Sequence, residues 1–302
     1  MHRILVTAAC CSLLSLTALA AVPLTPGGNG HLLVPAFIDG KGPYPVILDT
    51  GADISGVYAW FAKQQHLTPG PSEVIDGMTG SASIPTYALK RIEVDGRALV
   101  NVTVDSYPDR HDVERQVGVV GNDLMDGSVA VFDFPCSQVH IWPKPVDMAT
   151  LLSPKARMLQ AGVVKNGTQL TFDVTVHGVH GVAVLDTGSR DTRINSLFVR
   201  AAGLDPASST FHDSETIYGA NSKGMPSRKG PIGTVGFAGL EASNVQARVM
   251  DLPVFNTFGI GNGPAMIFGL DIMQGYRLVY DHDAKQFWFD ESTCTPEHVT
   301  SR

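Results

Sequence analysis

The sequence predicts an all-β protein of two tandem lobes, each with one short helix, related by a pseudo-twofold axis. The main observation is a stretch that occurs twice. Residues 46–53 read Val-Ile-Leu-Asp-Thr-Gly-Ala-Asp, and residues 183–190 read Ala-Val-Leu-Asp-Thr-Gly-Ser-Arg. The segments around this stretch also recur in the same order. The chain of 302 residues, 44% of them hydrophobic and 17% charged, has the composition of a globular protein.

Each half begins with a predicted hairpin whose second strand ends at an Asp-Thr-Gly turn. Burying a carboxylate at the end of an apolar strand is costly unless something compensates for it. Asp49 and Asp186 are therefore the candidate functional residues, and as symmetry mates they can face each other. Residues 22–30 are expected to form an unstructured lead. The predicted strands are 31–38 and 45–48, then 170–176 and 182–185, and their turns are 39–43 and 177–178.

A short helix is predicted after each Asp-Thr-Gly turn, because residues 49–69 align without a gap with residues 186–206. In the second half Asn195 or Ser196 can cap the helix, and Gly203 lies where a helix-ending glycine is expected. The equivalent helix of the first half is expected to hold Val57, Trp60, Phe61 and Gln64.

The remaining repeated segments complete the two lobes. We place the lobes at 28–145 and 165–292, with a linker at 146–164 that can hold a helical turn. The repeats are Gly-containing hairpins at 76–81 and 218–224, segments 94–102 and 237–245 (the first with an Asp95-Gly96 turn), segments 119–133 and 267–281, and final strands at 138–142 and 286–289.

The N-terminus has the features of a secretory signal peptide at residues 1–20. Arg3 precedes an apolar run, and Ala18-Leu19-Ala20 predicts cleavage after Ala20. An uncleaved anchor, or a lipoprotein modified at Cys10 or Cys11, is the alternative. We expect an exported protein, periplasmic or secreted, that is not membrane-bound after cleavage. The net charge of −7 gives no indication of a nucleic-acid partner.

The repeated motifs resemble those of the pepsin/retropepsin clan of aspartic peptidases. In each half two apolar residues precede Asp-Thr-Gly, and an apolar-apolar-Gly element follows, at 119–121 and at 267–269. The length of each lobe, and Ala52-Asp53, are closer to retropepsins and their bacterial exported relatives, whereas Ser189 is typical of pepsin-like enzymes. The resemblance implies two retropepsin-like β-barrel lobes within one monomeric chain.

The resemblance also implies roles for the repeated residues. Asp49 and Asp186 would form a catalytic pair that shares one proton and activates water, with no metal or other cofactor. Gly51 and Gly188 would let the backbone turn close to the carboxylates. Thr50 and Thr187 would cross-link the two loops through their hydroxyls. The partner would be a peptide or protein substrate, bound as an extended strand.

Substrate-binding residues are implied next to the pair and at the hairpin tips. Asp53 matches the retropepsin residue that holds the substrate backbone, whereas the equivalent position in the second half is Arg190, followed by Asp191. The two ends of the substrate are therefore expected to be recognised differently. Ordinary hairpins are the alternative to flaps at both tips. The candidate flap residues are Gly77, Met78, Thr79 and Gly80 in the first half and Tyr218 and Gly219 in the second.

After signal cleavage two cysteines remain, Cys136 and Cys294. In an exported protein an even pair favours a disulfide. In the family that the chain resembles, the terminal strands lie antiparallel about the twofold axis, which would bring the two sulfurs together. Two free thiols are the alternative.

Other polar residues receive a structural interpretation. We expect the ten His residues to lie on the surface, since they lack the spacing of zinc ligands. Asn101 and Asn166 match glycosylation acceptors, although a structural role explains Asn101 equally well. The repeated acids are expected to cap helices or turns; they are Asp123 and Asp271, and Asp133 and Asp281.

Three functional hypotheses follow. The first is an aspartic endopeptidase that hydrolyses peptide bonds of an extended substrate with water activated between Asp49 and Asp186. The second is a catalytically silent peptide-binding module of the same fold. The third is a structural exported β-protein whose two Asp residues only cap strand ends, which leaves the repeated Thr-Gly without an explanation.

Overall fold

A computed structural model describes residues 21–109, 116–219 and 223–294. The predicted signal peptide at residues 1–20 lies outside these residues and stays a prediction. Within the described ranges, none of the helices combines the length and the hydropathy that a bilayer span requires.

The first half is built mainly of strands. In chain order its elements are β1 (Val22–Pro23), β2 (Thr25–Pro26), β3 (Leu32–Ile38), β4 (Lys41–Leu48), β5 (Gly56–Tyr58), α1 (Ala59–Gln64), β6 (Pro69–Gly77), β7 (Gly80–Val94), β8 (Arg97–Tyr107), β9 (Gly118–Val120), α2 (Asn122–Met125), β10 (Ser128–Asp133) and β11 (Gln138–Pro143).

A connecting segment and a second half of the same design follow. Their elements are α3 (Met148–Leu151), β12 (Arg157–Gln160), β13 (Gly162–Val163), β14 (Leu170–Val176), β15 (Val179–Leu185), β16 (Arg193–Ile194), α4 (Ser196–Ala201), β17 (His212–Tyr218), β18 (Gly224–Phe237), β19 (Leu240–Val249), α5 (Pro253–Thr257), β20 (Ala265–Phe268), α6 (Leu270–Met273), β21 (Arg277–Asp281) and β22 (Gln286–Asp290).

The sheet topology has the predicted two-lobed symmetry. The first lobe forms an eight-stranded sheet in the order β2-β3-β4-β9-β5-β8-β7-β6, and the second lobe forms one in the order β13-β14-β15-β20-β16-β19-β18-β17. When the strands are matched by position, the two orders are the same. The all-β, tandem-lobed fold class is therefore confirmed. The described residues of the first lobe hold two short helices, and those of the second lobe hold three, rather than the one predicted for each.

Both lobes also contribute to a shared six-stranded sheet, in the order β1-β11-β10-β21-β22-β12. At its centre β10 and β21 run antiparallel, with Val131 opposite Val279, Ala130 opposite Tyr280 and Phe132 opposite Leu278. In the sequence repeat, Val131 and Val279 are equivalent residues. The pseudo-twofold axis therefore passes through this pair.

The predicted hairpin turns form where the chain supplies residues that tolerate positive φ. Asp39 and Gly40 have φ values of 49° and 76°, and Asp95 and Gly96 have 51° and 73°. Two consecutive residues in this region suit the two-residue turn whose twist matches that of the flanking strands. Because the first turn needs only these two residues, β4 already begins at Lys41, and the predicted turn at 39–43 is too long.

The prediction of an unstructured lead at residues 22–30 is wrong. β1 pairs with β11, and β2 pairs with β3. Leu24 lies between these strands, is buried, and donates its N–H to the Ser137 carbonyl at 2.8 Å. The predicted linker likewise contains β12 and β13, which occupy the equivalent places in the second half.

The two predicted helices form with one correction. In α4 the side chain of Asn195 accepts a hydrogen bond from the Phe198 N–H at 2.9 Å, and Gly203 follows with φ of 76°. In the first half α1 begins at Ala59, so Val57 is not helical. It lies in β5, which is held between β8 and β9.

The predicted disulfide is present and joins Cys136 to Cys294, with the Cα atoms 5.1 Å apart. The final strands β11 and β22 are not neighbours, however, because β10 and β21 lie between them. Cys136 lies in the turn after β10 and Cys294 lies beyond β22. The last residues of β10 and β22 lie at the same end of the shared sheet, since Asp133 is opposite Arg277 and Arg277 is opposite Asp290.

Candidate active site

The two Asp-Thr-Gly turns meet between the lobes. β4 runs parallel to β9 and ends at Asp49, whose N–H donates to the Val120 carbonyl at 2.9 Å. β15 runs parallel to β20 and ends at Asp186, whose N–H donates to the Phe268 carbonyl at 3.2 Å. Buried apolar strands thus fix the backbone of both acids, which explains the apolar residues before each motif.

Thr50 and Thr187 cross-link the two turns with reciprocal hydrogen bonds. The Thr187 N–H donates to Thr50 Oγ1 at 3.0 Å, and the Thr50 N–H donates to Thr187 Oγ1 at 3.0 Å. The hydroxyls then donate to carbonyls of the opposite lobe, Thr50 to Leu185 at 2.9 Å and Thr187 to Leu48 at 2.7 Å. Both side chains are buried, so each polar group finds its partner in the other lobe.

The glycine of each motif gives room to the carboxylate of the other. A β-carbon on Gly51 would lie 2.6 Å from Cγ of Asp186, and one on Gly188 would overlap the carboxylate of Asp49. The Gly51 N–H also donates to Asp49 Oδ1 at 2.7 Å. Glycine is therefore required at both positions for the acids to approach each other.

The electrostatics of the pair are unequal. Burial raises the pKa of Asp49 well above its usual range, and the Asp186 carboxylate raises it further. Burial also raises the pKa of Asp186, but the Arg193 guanidinium and a hydrogen bond from Asp49 oppose this rise. Two carboxyls this close cannot both ionise easily. Of the two acids, Asp49 is therefore the one whose protonated form is favoured more strongly.

These features occur in a chain that matches a known family. The family model described as Aspartyl protease matches residues 34–124 and 172–272, which is more than half of the chain and includes both Asp-Thr-Gly motifs. The chain belongs to the aspartyl protease family. No curated protein matches it.

In this aspartyl protease the repeated acids Asp123 and Asp271 hold the loops behind the pair. Asp123 accepts hydrogen bonds from the Ser55 N–H and hydroxyl at 2.9 and 2.7 Å. Asp271 accepts the same two bonds from Thr192, also at 2.9 and 2.7 Å. Their contacts are those of loop supports, as the sequence indicated.

Asp53 is engaged by the other lobe. Its Oδ1 accepts hydrogen bonds from the Thr168 N–H at 2.7 Å and from the Thr168 hydroxyl at 2.6 Å. Its counterpart Arg190 donates to the Asn29 carbonyl at 2.5 Å and pairs with Glu215. Each of these equivalent residues thus contacts the other lobe just before a long strand: Asp53 contacts Thr168, before β14, and Arg190 contacts Asn29, before β3. Substrate binding by Asp53 stays a prediction.

The two candidate flap tips of the protease meet each other. Met78 and Thr79 form the turn between Gly77 and Gly80, which are paired across the hairpin. A β-carbon on Gly219 would lie 2.8 Å from the Thr79 backbone nitrogen, so the tips are in contact. Residues 220–222 of the second hairpin lie outside the described residues.

The side chains at the flap tips differ in burial. Thr79 is buried, whereas Tyr218 is 46% exposed. Met78 packs against a second-lobe cluster that contains Ile217, and Met225 of the opposite hairpin packs against the same cluster. The first candidate flap therefore packs on the second lobe.

Several His residues are buried, contrary to the sequence prediction; they are His31, His140 and His282. His282 connects the lobes. Its Nδ1 is 2.5 Å from Asp126 Oδ1, and its Nε2 is 2.9 Å from the Thr168 carbonyl. His282, Asp126 and Asp283 bring ligand-type atoms within 4.8 Å of one another. Because both ring nitrogens have protein partners, His282 acts here as a hydrogen-bonding bridge.

Sequence reasoning missed two residues at the site. Arg193 is buried beside the Asp186 turn, at the position equivalent to Gly56. Asn122 donates to the Thr50 carbonyl at 3.1 Å and accepts a hydrogen bond from the Tyr280 hydroxyl at 2.8 Å. The repeat alignment held a signal for both, because it aligns Arg193 with Gly56 and Asn122 with Leu270.

Proposed function

We propose that the protein is an aspartic endopeptidase in which Asp49 and Asp186 form the catalytic pair. The observation that carries this proposal is the meeting of the two carboxylates, each against the glycine of the other motif. The Thr50–Thr187 cross-link supports it further, because it holds both turns in one geometry. Membership of the aspartyl protease family supplies the reaction class.

The inequality of the two acids suggests their roles. Asp186, as the ionised member, would take a proton from a water molecule, whose oxygen attacks the scissile carbonyl carbon. Asp49, as the protonated member, would donate its proton to the carbonyl oxygen. Asp186 would then pass the water proton to the amide nitrogen, and a hydroxyl of the tetrahedral diol would return a proton to Asp49 as the carbon–nitrogen bond breaks. This yields a carboxyl and an amine and restores the single shared proton.

The flaps would close over an extended peptide. Because the tips touch at Thr79 and Gly219, they must separate for a substrate to enter. Main-chain hydrogen bonds would hold the peptide strand. We expect apolar side chains on either side of the cleaved bond, because the strands that lead to the pair are apolar. A profile from a peptide library that requires a charged residue on both sides of the bond would contradict this.

We further propose that the protein is exported, to the periplasm or the medium. The Cys136–Cys294 disulfide supports an oxidising compartment. The mature chain should begin at Ala21, which its intact mass after expression with the native N-terminus would test. A mature mass that includes residues 1–20 would favour the uncleaved anchor.

The decisive experiment is peptide cleavage by the purified mature protein from acid to neutral pH, with and without a statine-type transition-state analogue. Asp49→Asn and Asp186→Asn should each lower turnover by several orders of magnitude, because the pair acts as a unit. Asp173→Asn, on the exposed face of β14, is the matched control. Peptide binding without cleavage by the wild type would favour the silent binding module. Near-normal turnover by Asp186→Asn would refute the proposed pair.

A further inference from the structure

The two lobes differ in charge at equivalent positions around the two acids. The first lobe has acidic or neutral residues where the second lobe has arginines. The ungapped repeat makes Asp53 equivalent to Arg190 and Gly56 equivalent to Arg193. Strand pairing makes Asp105 equivalent to Arg248, because Asp105 is opposite Gly56 and Arg248 is opposite Arg193. The three equivalent pairs are Asp53 and Arg190, Gly56 and Arg193, and Asp105 and Arg248.

Arg193 is the arginine that lies against the Asp186 turn. Its side chain is on β16, only 5% of the residue is exposed, and its Nη1 donates to Ser189 Oγ and, at 3.4 Å, to the Asp191 carbonyl. Its Nε has no hydrogen-bond partner among the described residues, and neither has Asp186 Oδ1. A buried guanidinium without a direct ion pair is costly. Among the carboxylates near Arg193, Asp186 contributes most to stabilising the charged guanidinium.

The other charged groups around Arg193 are already paired. Asp191, in the same loop, accepts from Lys229 at 2.6 Å and from Arg248 at 2.9 Å. Although burial alone would raise the pKa of Asp191, these two cations lower it to about 2. Arg190 pairs with Glu215, which also contacts Arg248. Of the carboxylates that face Arg193, Asp186 is therefore the one whose charge is not held by another cation.

We propose that Arg193 is a positioning residue that keeps the negative charge of the catalytic pair on Asp186, so that Asp49 is the proton donor. The inference rests on the proposed function and adds to it the residue that makes the two acids differ in protonation. In the first lobe Gly56 offers no cation, since the space above it is filled by the Tyr107 ring. The duplication has thus made the two acids electrostatically distinct.

The test is the pH dependence of kcat/KM in Arg193→Met, a neutral side chain of similar length. A nearby opposite charge typically lowers a carboxyl pKa by 1–3 units. Its removal should move the acidic limb of the profile upward by at least about one pH unit. Below that limb, activity should fall about tenfold, with a smaller change on the plateau. Arg193→Lys, which keeps the charge, should leave the limb close to its wild-type position.

Arg277→Met is the matched control, since Arg277 is also a largely buried arginine but lies in the shared sheet, where it contacts Asp290. Its acidic limb should not move. If Arg193→Met lowers activity equally at every pH while the limb stays in place, the role is one of packing and the proposal is overturned. Thermal unfolding checks that each variant is folded, and Arg193→Gln replaces Arg193→Met if the latter is not.

A second readout separates this proposal from the proposed function. Titration of ¹³C-labelled aspartate carboxyls by NMR follows the pair without any turnover. In the wild type, Asp186 should ionise at lower pH than Asp49, and this order should be lost or reversed in Arg193→Met. An inactive wild type with this order would refute the peptidase while the assignment of the charge stands. An active wild type in which Asp49 ionises first would refute only the role of Arg193.

Discussion

Gly188 lies directly against the carboxylate of Asp49, with no room for a β-carbon between them. The same relationship holds in reverse between Gly51 and Asp186. Each lobe therefore supplies both a carboxylate and the empty space that the other carboxylate needs. Each Asp-Thr-Gly motif therefore contributes one carboxylate and, through its glycine, the contact surface for the carboxylate of the other lobe.

Gly188→Ala should inactivate the protein without unfolding it. The added methyl group overlaps the Asp49 carboxylate, which must rotate away or push the turns apart, and a displacement of this size can cost about 100-fold or more in kcat. Gly275→Ala is the control, because a β-carbon there meets no atom within 4 Å. Activity in Gly188→Ala within a factor of three of the wild type would show that the acids do not need this approach.

Thr50→Val should destabilise the contact between the lobes. The substitution keeps the shape of the side chain but leaves the buried Thr187 N–H and Leu185 carbonyl without the Thr50 hydroxyl. Each buried group left unsatisfied costs about 1–3 kcal/mol. The free energy of unfolding in urea should fall by a corresponding amount, whereas Thr50→Ser, which keeps the hydroxyl, should lose much less. Equal losses in the two variants would point to the methyl group instead.

Removal of the disulfide should lower stability strongly. Cys136 and Cys294 are 158 residues apart, and the chain-entropy model gives about 5 kcal/mol for a loop of that length. The Cys136→Ser/Cys294→Ser variant should unfold at correspondingly lower denaturant concentration. Reductant should weaken the wild type and leave the double variant unchanged. Two thiols available to alkylation in the folded, unreduced protein would contradict the bridge.

Asp105 should make stability depend on pH between about 4 and 6. Burial raises the pKa of Asp105 to about 6, with further contributions from Glu73 and Asp123. The folded state therefore binds this proton more tightly than the unfolded state, so unfolding becomes easier as the pH rises through that window. A shift of two pKa units corresponds to about 3 kcal/mol.

Asp105→Asn should accordingly stabilise the protein at pH 7, by up to about 3 kcal/mol, and have little effect near pH 4. Denaturant unfolding at a series of pH values measures this difference. Asp173→Asn, on an exposed face, should leave the profile unchanged. A stabilisation by Asp105→Asn that is the same at both pH values would exclude titration of Asp105 as its cause.

Local chemistry made much of the fold predictable. The Asp95-Gly96 turn and the Asn195 cap are determined by residues adjacent in sequence, and both formed as expected. The two-residue strands β1, β2 and β13 carry no periodicity of their own, and they exist only because a longer strand lies beside them. Val57 shares the apolar character of the helix that follows, and its place in β5 depends on two distant strands.

The site was predictable to the extent that it repeats. Two Asp-Thr-Gly motifs indicated a facing pair, and both motifs occupy equivalent places. What the repeat could not supply were the departures from symmetry. Asp53 has a sequence neighbourhood typical of substrate binding, yet its carboxylate meets Thr168 from the other half of the chain. The burial of Arg193 likewise depends on the fold of the loop around it.

The contact between Asn122 and Tyr280 has a consequence for the ancestry of the chain. Under the repeat, Tyr280 corresponds to Phe132 and Asn122 corresponds to Leu270. Two copies of the first half would set the amide of Asn122 against a phenylalanine, which has no hydroxyl to donate, and two copies of the second half would set a phenol against leucine. Such an unsatisfied buried group costs about 1–3 kcal/mol. Each half is therefore matched to the other half, and a symmetric dimer of either half alone would lose this buried hydrogen bond.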